Sequence, residues 1–141
     1  MPARRGATPP QATRGLLDTS VVVDHDIIDP AGLPAESAIT AITLAELAAG
    51  PQATDDDDER ARRQDRLQWA AATWDPLPFD ADAARAYGRV FAATRAAGRS
   101  SRSRLADLLI AATAAASGLD LYTRNAGDLV GLEGIVRIVE V

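Results

Sequence analysis

Gly15-Leu16-Leu17-Asp18-Thr19-Ser20-Val21-Val22-Val23-Asp24 is the stretch that decides the fold of this chain. A short apolar run leads into a carboxylate, two hydroxyl residues follow it, and apolar residues then resume. This order is typical of a buried strand that carries Asp18 to the carboxyl edge of a sheet. Because ligands of open α/β sheets bind at that edge, Asp18 is a candidate site residue if further carboxylates reach the same place.

The composition limits the kinds of chemistry that are available. The chain has 141 residues, which fits one domain, and its 47% hydrophobic and 25% charged residues are ordinary for a globular protein. The absence of cysteine excludes disulfides, thiol catalysis and cysteine-ligated zinc. The single histidine, His25, excludes every site that needs several imidazoles.

The charge balance argues against binding of nucleic acid by overall electrostatics. The formal net charge is -5 and the pI is about 4.8, whereas domains that bind nucleic acid through their net charge are usually basic. Nucleic acid held through a bound cation and a few local arginines stays possible. No apolar run approaches membrane-spanning length, and Arg4 and Arg5 precede no apolar segment, so we expect a cytoplasmic protein that contacts no membrane.

Strands and helices are predicted to alternate after a flexible N-terminal tail at residues 1–13, and the domain covers residues 14–141. The predicted strands are residues 15–18, 37–40, 119–123 and 135–139. The predicted helices begin near Ser20, at Thr43, within residues 55–59, after Asp80 and at Ser101 or Ser103, and the last one ends at Gly118. This alternation predicts an α/β fold with a mostly parallel sheet.

Four carboxylates occupy similar places in this plan, where a strand ends or the following helix begins. They are Asp18, Glu46, Asp107 and Asp128. Carboxylates that converge repel one another and raise each other's pKa, and a divalent cation removes that penalty. An all-oxygen site favours Mg²⁺ or Mn²⁺ over zinc, and such an ion suits hydrolysis of phosphodiesters.

The chain resembles PIN-domain ribonucleases, most closely the VapC toxins of bacterial toxin–antitoxin pairs. The four matching segments are Leu16–Ser20, Thr43–Leu47, Leu105–Ala114 and Leu121–Leu129, in this order. The resemblance implies a PIN-like three-layer α/β/α fold and Mg²⁺- or Mn²⁺-dependent cleavage of single-stranded or structured RNA, usually tRNA or rRNA. It also implies a homodimer, inhibition by a cognate VapB antitoxin, and products with a 5′-phosphate and a 3′-hydroxyl.

Carried over by position, the resemblance gives each acid a role. Asp18 and Asp107 become direct metal ligands, and Glu46 and Asp128 bind the metal directly or through water. Residues expected to support the metal's water shell are Thr19, Thr123 and Asn125; the last stands where some relatives carry another acid. Arginines near the acids in sequence are expected to guide RNA phosphates, and these are Arg99, Arg102, Arg104 and Arg124.

Purely structural explanations stand beside these roles. Asp18 can cap the helix that follows it, Thr43 and Glu46 match a capping box, and Asp128 fits a turn. The arginines can equally pair with the chain's excess acids. A catalytically silent PIN-like scaffold that binds RNA or protein is the alternative function. A haloacid dehalogenase-type phosphatase is excluded because Ser20 stands where its second Asp is required, and a dinucleotide fold is excluded because no glycine-rich turn follows the first strand.

Overall fold

A four-stranded parallel sheet forms the centre of the computed structural model, which describes residues 14–102 and 104–141. The strands are β1 (Arg14–Leu17), β2 (Glu36–Ala38), β3 (Asp120–Thr123) and β4 (Ile138–Glu140). They lie in the order β2-β1-β3-β4, and every neighbouring pair is parallel. The predicted parallel sheet is therefore confirmed, while the predicted tail at residues 1–13 lies outside the described residues.

Helices cover both faces of this sheet. They are α1 (Thr19–Val23), α2 (Ala41–Ala49), α3 (Asp57–Thr73), α4 (Ala81–Ala96) and α5 (Leu105–Ser117). Successive residues of a strand point to opposite faces, so Leu16 packs into a core with α4 and α5, whereas Leu17 packs into a second core with α1, α2 and α3. The result is the three-layer α/β/α architecture. In the described part of the chain, no helix is both long and apolar enough to cross a membrane.

Gly15 is required by the close approach of β3 to β1. A Cβ atom at this position would lie 2.8 Å from Cδ1 of Tyr122 and 3.0 Å from Cγ of Pro34. These separations are shorter than ordinary carbon–carbon contacts, which are about 3.5–4.0 Å. A glycine at the second residue of β1 therefore leaves room for the Tyr122 ring of the neighbouring strand β3.

The predicted starts of two helices are wrong. Thr43 does not cap α2, because the helix begins at Ala41 and the hydroxyl of Thr40 accepts the hydrogen bond from the Thr43 backbone N–H at 3.0 Å. Glu46 therefore lies in the middle of α2 and takes no part in a capping box. Ser101 does not open α5 either: that helix begins at Leu105, and Ser103 lies outside the described residues.

Other predicted boundaries are confirmed. Asp80 caps α4 by accepting a hydrogen bond from the Ala83 backbone N–H at 2.9 Å. Gly118 ends α5 with a φ of 67°, in the left-handed region that a residue without a Cβ adopts at little cost. The acidic run places Asp56 at the N-cap of α3, ahead of three further carboxylates in its first turn, where they complement the helix dipole.

Candidate active site

Three of the four predicted acids share one small cavity at the carboxyl end of the central strands. Asp18 directly follows β1, Asp107 lies in the first turn of α5, and Asp128 lies in a 3-10 turn, Ala126–Leu129, that follows β3. The cavity measures about 30 Å³, which is room for roughly one or two waters. Its lining consists of Asp18, Ser20, Asp107, Thr123, Asn125, Asp128 and Leu129. The convergence expected from parallel strand ends is thus present in the structure.

Glu46 lies beside this cavity and is held by Thr19. The Thr19 hydroxyl donates a hydrogen bond to Oε1 of Glu46 at 2.5 Å and lies 3.0 Å from the Thr43 hydroxyl. Glu46 lines a neighbouring groove of about 310 Å³. Thr19, which the sequence associates with Asp18, therefore positions the glutamate in this structure.

Burial and repulsion act together on Asp107. This half-buried side chain loses part of its hydration, which is the main reason that its pKa is raised above the ordinary value of 3.8. The charges of Asp18, Glu46 and Asp128 raise its pKa further, and Arg104 opposes them. All three other acids therefore lie within electrostatic range of Asp107, including Glu46, which is outside the cavity itself.

Asp18 combines a structural and a site role. Its backbone is extended, with φ -79° and ψ 176°, and its side chain accepts a hydrogen bond from the Val21 backbone N–H, so it is the N-cap of α1. The capping explanation and the location in the acid cavity are both correct for this residue. With 7% of its surface exposed, the carboxylate is more buried than Asp107 or Asp128.

Ser20 is a site residue that the sequence interpretation misses. Its hydroxyl donates to Oδ1 of Asp18 at 2.5 Å and accepts from the backbone N–H of Arg124 at 3.0 Å. One hydroxyl therefore connects the end of β1 to the segment that follows β3. The signal in the sequence is the spacing Asp18-Thr19-Ser20, which allows a hydroxyl two residues after a carboxylate to turn back towards it.

The two predicted support residues after β3 shape the turn that carries Asp128. Thr123 is 1% exposed, and its hydroxyl accepts a hydrogen bond from the Asn125 backbone N–H at 3.0 Å. The Asn125 carbonyl in turn accepts from the Asp128 backbone N–H at 2.9 Å. These contacts fix the backbone on which Asp128 is presented; contact of either side chain with a metal's water shell stays a prediction.

Three of the four candidate arginines contact groups close to the site. Arg104 pairs with Asp128 at 2.5 Å, and Arg124 pairs with Asp24 at 3.2 Å. Arg99 donates to the Gly127 carbonyl at 3.0 Å, while Arg102 is exposed. Pairing with acids is thus observed for two of them, and contact with RNA stays a prediction for all four.

The donor set fits a hard divalent cation in its chemistry. Carboxylate oxygens are the ligands that Mg²⁺ and Mn²⁺ prefer, and a cation here would relieve the repulsion that raises the pKa of Asp107. Within residues 14–102 and 104–141, however, no three acidic or histidine side chains are arranged to hold an ion as they stand. Three of the acids are instead each engaged by a partner: Asp18 by Ser20, Glu46 by Thr19 and Asp128 by Arg104.

Comparisons with known proteins agree on one family. The family described as PIN domain matches residues 16–127. Ribonuclease VapC5 of Mycobacterium tuberculosis is 38% identical over 127 residues, which cover 88% of this chain and 91% of that protein. Ribonuclease VapC8 of the same species is 39% identical over 101 residues, covering 71% of this chain and 89% of that protein. The crystal structure of VapBC-5 from M. tuberculosis, a member of the VapBC family of toxin–antitoxin systems, superposes with a TM-score of 0.78 at 37% identity, covering 92% of this chain and 99% of that one.

Proposed function

This chain belongs to the PIN-domain family, and on that premise we propose that it is a VapC-type endoribonuclease, the toxin of a toxin–antitoxin pair. The relatives that support this assignment are named ribonucleases. The observation that carries it is the convergence of Asp18, Asp107 and Asp128 on one cavity, with Glu46 within electrostatic range. A silent scaffold would be expected to have lost at least one of these acids, and all four are present.

PIN-domain ribonucleases generally depend on a divalent metal ion, and the oxygen-only donor set makes Mg²⁺ or Mn²⁺ the ion we propose. Asp18 and Asp107 would hold it directly, with Glu46 and Asp128 contributing directly or through water. The bound ion supplies activation of water and neutralisation of the charge that develops on the phosphate. Asp18, Glu46, Asp107 and Asp128 are accordingly the residues to which we assign catalysis.

The side chains of the site have distinct tasks in hydrolysis. Ser20 orients the Asp18 carboxylate, and Thr19 does the same for Glu46. A carboxylate of the site takes the proton of the attacking water, which approaches the phosphorus in line with the leaving oxygen. No protein nucleophile is needed, and the products carry a 5′-phosphate and a 3′-hydroxyl. We assign contact with the RNA backbone to Arg99, Arg102, Arg104 and Arg124, whose positive charges would attract its phosphates.

The partners follow from the same assignment. A cognate VapB-type antitoxin neutralises the toxin, in keeping with the VapBC toxin–antitoxin relative. We propose tRNA or rRNA as the substrate class, the cytoplasm as the compartment, since such RNAs are found there, and a homodimer as the assembly.

Incubation of the purified protein with total bacterial RNA tests the function directly. We expect discrete cuts with Mn²⁺ or Mg²⁺ and none with EDTA, and sequencing of the RNA 5′ ends should return a reproducible site with a 5′-phosphate. Equal cleavage with and without EDTA would contradict metal-dependent hydrolysis. Binding of RNA without cleavage under all metal conditions would support the scaffold instead.

Ser20→Ala is expected to lower the cleavage rate roughly 10- to 100-fold, because loss of a group that orients a ligand carboxylate has an effect of about that size. The fold should persist, since Asp18 keeps its hydrogen bond from Val21. Steady-state kinetics should show a lower kcat and a higher Mn²⁺ concentration for half-maximal activity. The circular dichroism spectrum should match that of the parent. Ser37→Ala, which removes a hydroxyl bonded to the Trp74 indole, is the matched control and should cleave as the parent does. An unchanged rate in Ser20→Ala would refute the positioning role.

A further inference from the structure

Arg104 is fixed to the acid site through a single residue of the turn after β3. Its Nη1 lies 2.5 Å from Oδ1 of Asp128, and the same nitrogen lies 3.4 Å from the Asp128 carbonyl oxygen. The Arg104 side chain is 28% exposed and that of Asp128 is 45% exposed. The pair is thus partly exposed to solvent, and the guanidinium engages Oδ1 of an acid that lines the cavity.

The positive charge of Arg104 partly offsets the negative charge of the four acids. Four carboxylates act in this small region, and the guanidinium opposes the effect of three of them on Asp107. An arginine stays protonated at every pH that a protein survives, so its charge at this place is permanent. The turn that it grips is also anchored by Arg99, which donates to the Gly127 carbonyl. Two arginines therefore contact the backbone of the turn that carries Asp128.

We propose that Arg104 is an internal counter-ion of the acid site, and that a divalent ion binds only when the ion pair between Arg104 and Asp128 opens. The inference rests on the proposed function, because it concerns the metal assigned there. Its basis is the geometry of the pair: Oδ1 of Asp128, an acid that lines the cavity, lies 2.5 Å from Nη1 of Arg104, so a cation that approaches this oxygen must displace the guanidinium. A guanidinium next to a divalent cation would also be repelled by it.

The counter-ion role gives Arg104 an effect on metal affinity opposite to that of an ordinary supporting residue. A residue that orients Asp128 for the metal would strengthen metal binding, and its removal would weaken it. A competing cation weakens metal binding, and its removal would strengthen it. The sign of the change in affinity therefore separates the two roles without any measurement of RNA cleavage.

Titration of Mn²⁺ into the metal-stripped, full-length protein, followed by calorimetry, is the test. We expect Arg104→Gln to bind Mn²⁺ roughly 10-fold more tightly than the parent, which corresponds to about 1.4 kcal/mol. Thermal unfolding gives a second measure of metal affinity. Without metal, Arg104→Gln should melt at a lower temperature than the parent, because its carboxylates have lost their counter-charge. Saturating Mn²⁺ should then raise the melting temperature of Arg104→Gln by more than it raises that of the parent. Arg104→Lys, which keeps the charge, should bind Mn²⁺ like the parent.

The controls separate this inference from the proposed function. Arg137→Gln removes an exposed pair with Asp120, 3.1 Å long, at the start of β3, and should leave Mn²⁺ affinity unchanged. Equal or weaker binding by Arg104→Gln than by the parent would overturn the counter-ion role while leaving the metal site intact. Absence of Mn²⁺ binding in both proteins would overturn the metal assignment and this inference together. If Arg104→Gln does not fold, Arg104→Met removes the same charge with a side chain that packs along the same path, and the same outcomes decide.

Discussion

Asp107→Asn is expected to abolish RNA cleavage and, in the absence of metal, to yield a protein more stable than the parent. Loss of this proposed metal ligand should lower the rate on the order of 10³-fold or more, because a catalytic divalent ion contributes several kcal/mol to the transition state. The gain in stability has a different origin. Asp107 is half-buried and faces the charges of Asp18, Glu46 and Asp128, and asparagine occupies nearly the same volume without a charge.

The pH dependence of stability gives this prediction a second readout. The pKa of Asp107 in the folded protein lies above its ordinary value of 3.8, so between these two pKa values the folded state binds more protons than the unfolded state. The contribution of Asp107 to stability therefore falls as pH rises through that interval, and the loss is complete above the folded pKa. As pH rises through this interval, the parent should therefore lose stability relative to Asp107→Asn.

Urea unfolding in EDTA at several pH values between 4 and 8, alongside cleavage assays with Mn²⁺, measures both effects. Asp82→Asn is the control, because Asp82 carries the same charge in an exposed pair with Arg85 on α4. That variant should cleave RNA like the parent and retain the parent's pH profile. An Asp107→Asn protein that cleaves RNA at the parental rate would remove Asp107 from the catalytic set. An unchanged dependence of stability on pH would show that burial and repulsion do not raise the pKa of Asp107.

The sequence predicts the acids of the site better than the contacts that hold them. Asp18, Asp107 and Asp128 follow from the alternation of strands and helices, because parallel strands bring their carboxyl ends to one edge. The start of α2 does not follow from local pattern. Thr43 and Glu46 have the spacing of a capping box, but a bridge between Thr40 and Leu77 keeps the chain extended up to Thr40. That bridge joins segments that are distant in sequence, so no local sequence pattern predicts it.

For the same reason, the sequence does not predict the contacts of Ser20 and Arg104. Ser20 reaches Asp18 locally, but its second bond is to the backbone of Arg124, 104 positions away. Arg104 meets Asp128 across 24 positions, through a turn whose geometry depends on Thr123 and Asn125. Residue type predicts which groups can bind a metal or a phosphate. Which carboxylate each hydroxyl or guanidinium holds is decided by tertiary structure.

Asp18→Asn is expected to be inactive but to keep the stability of the fold, whereas Asp18→Ala should be both inactive and less stable. The carboxylate accepts hydrogen bonds from the Val21 backbone N–H and from the Ser20 hydroxyl. Asparagine caps a helix about as well as aspartate, and replacement of either by alanine lowers stability by about 1 kcal/mol. Because the two variants lose the same charge, the difference between their free energies of unfolding measures the contribution of the helix cap.

Cleavage assays with Mn²⁺ and urea unfolding in EDTA separate the two roles of Asp18. Circular dichroism of Asp18→Asn should match that of the parent, which excludes misfolding as the cause of inactivity. Full activity in a folded Asp18→Asn protein would refute the site assignment, and equal stability of the asparagine and alanine variants would refute the cap. Mn²⁺ should stabilise the parent and leave both variants unaffected, because an amide oxygen carries no charge to hold the ion and alanine offers no ligand at all. The cap of α1 and the proposed metal site need a carboxylate at the same edge of the sheet, which accounts for the aspartate directly after β1.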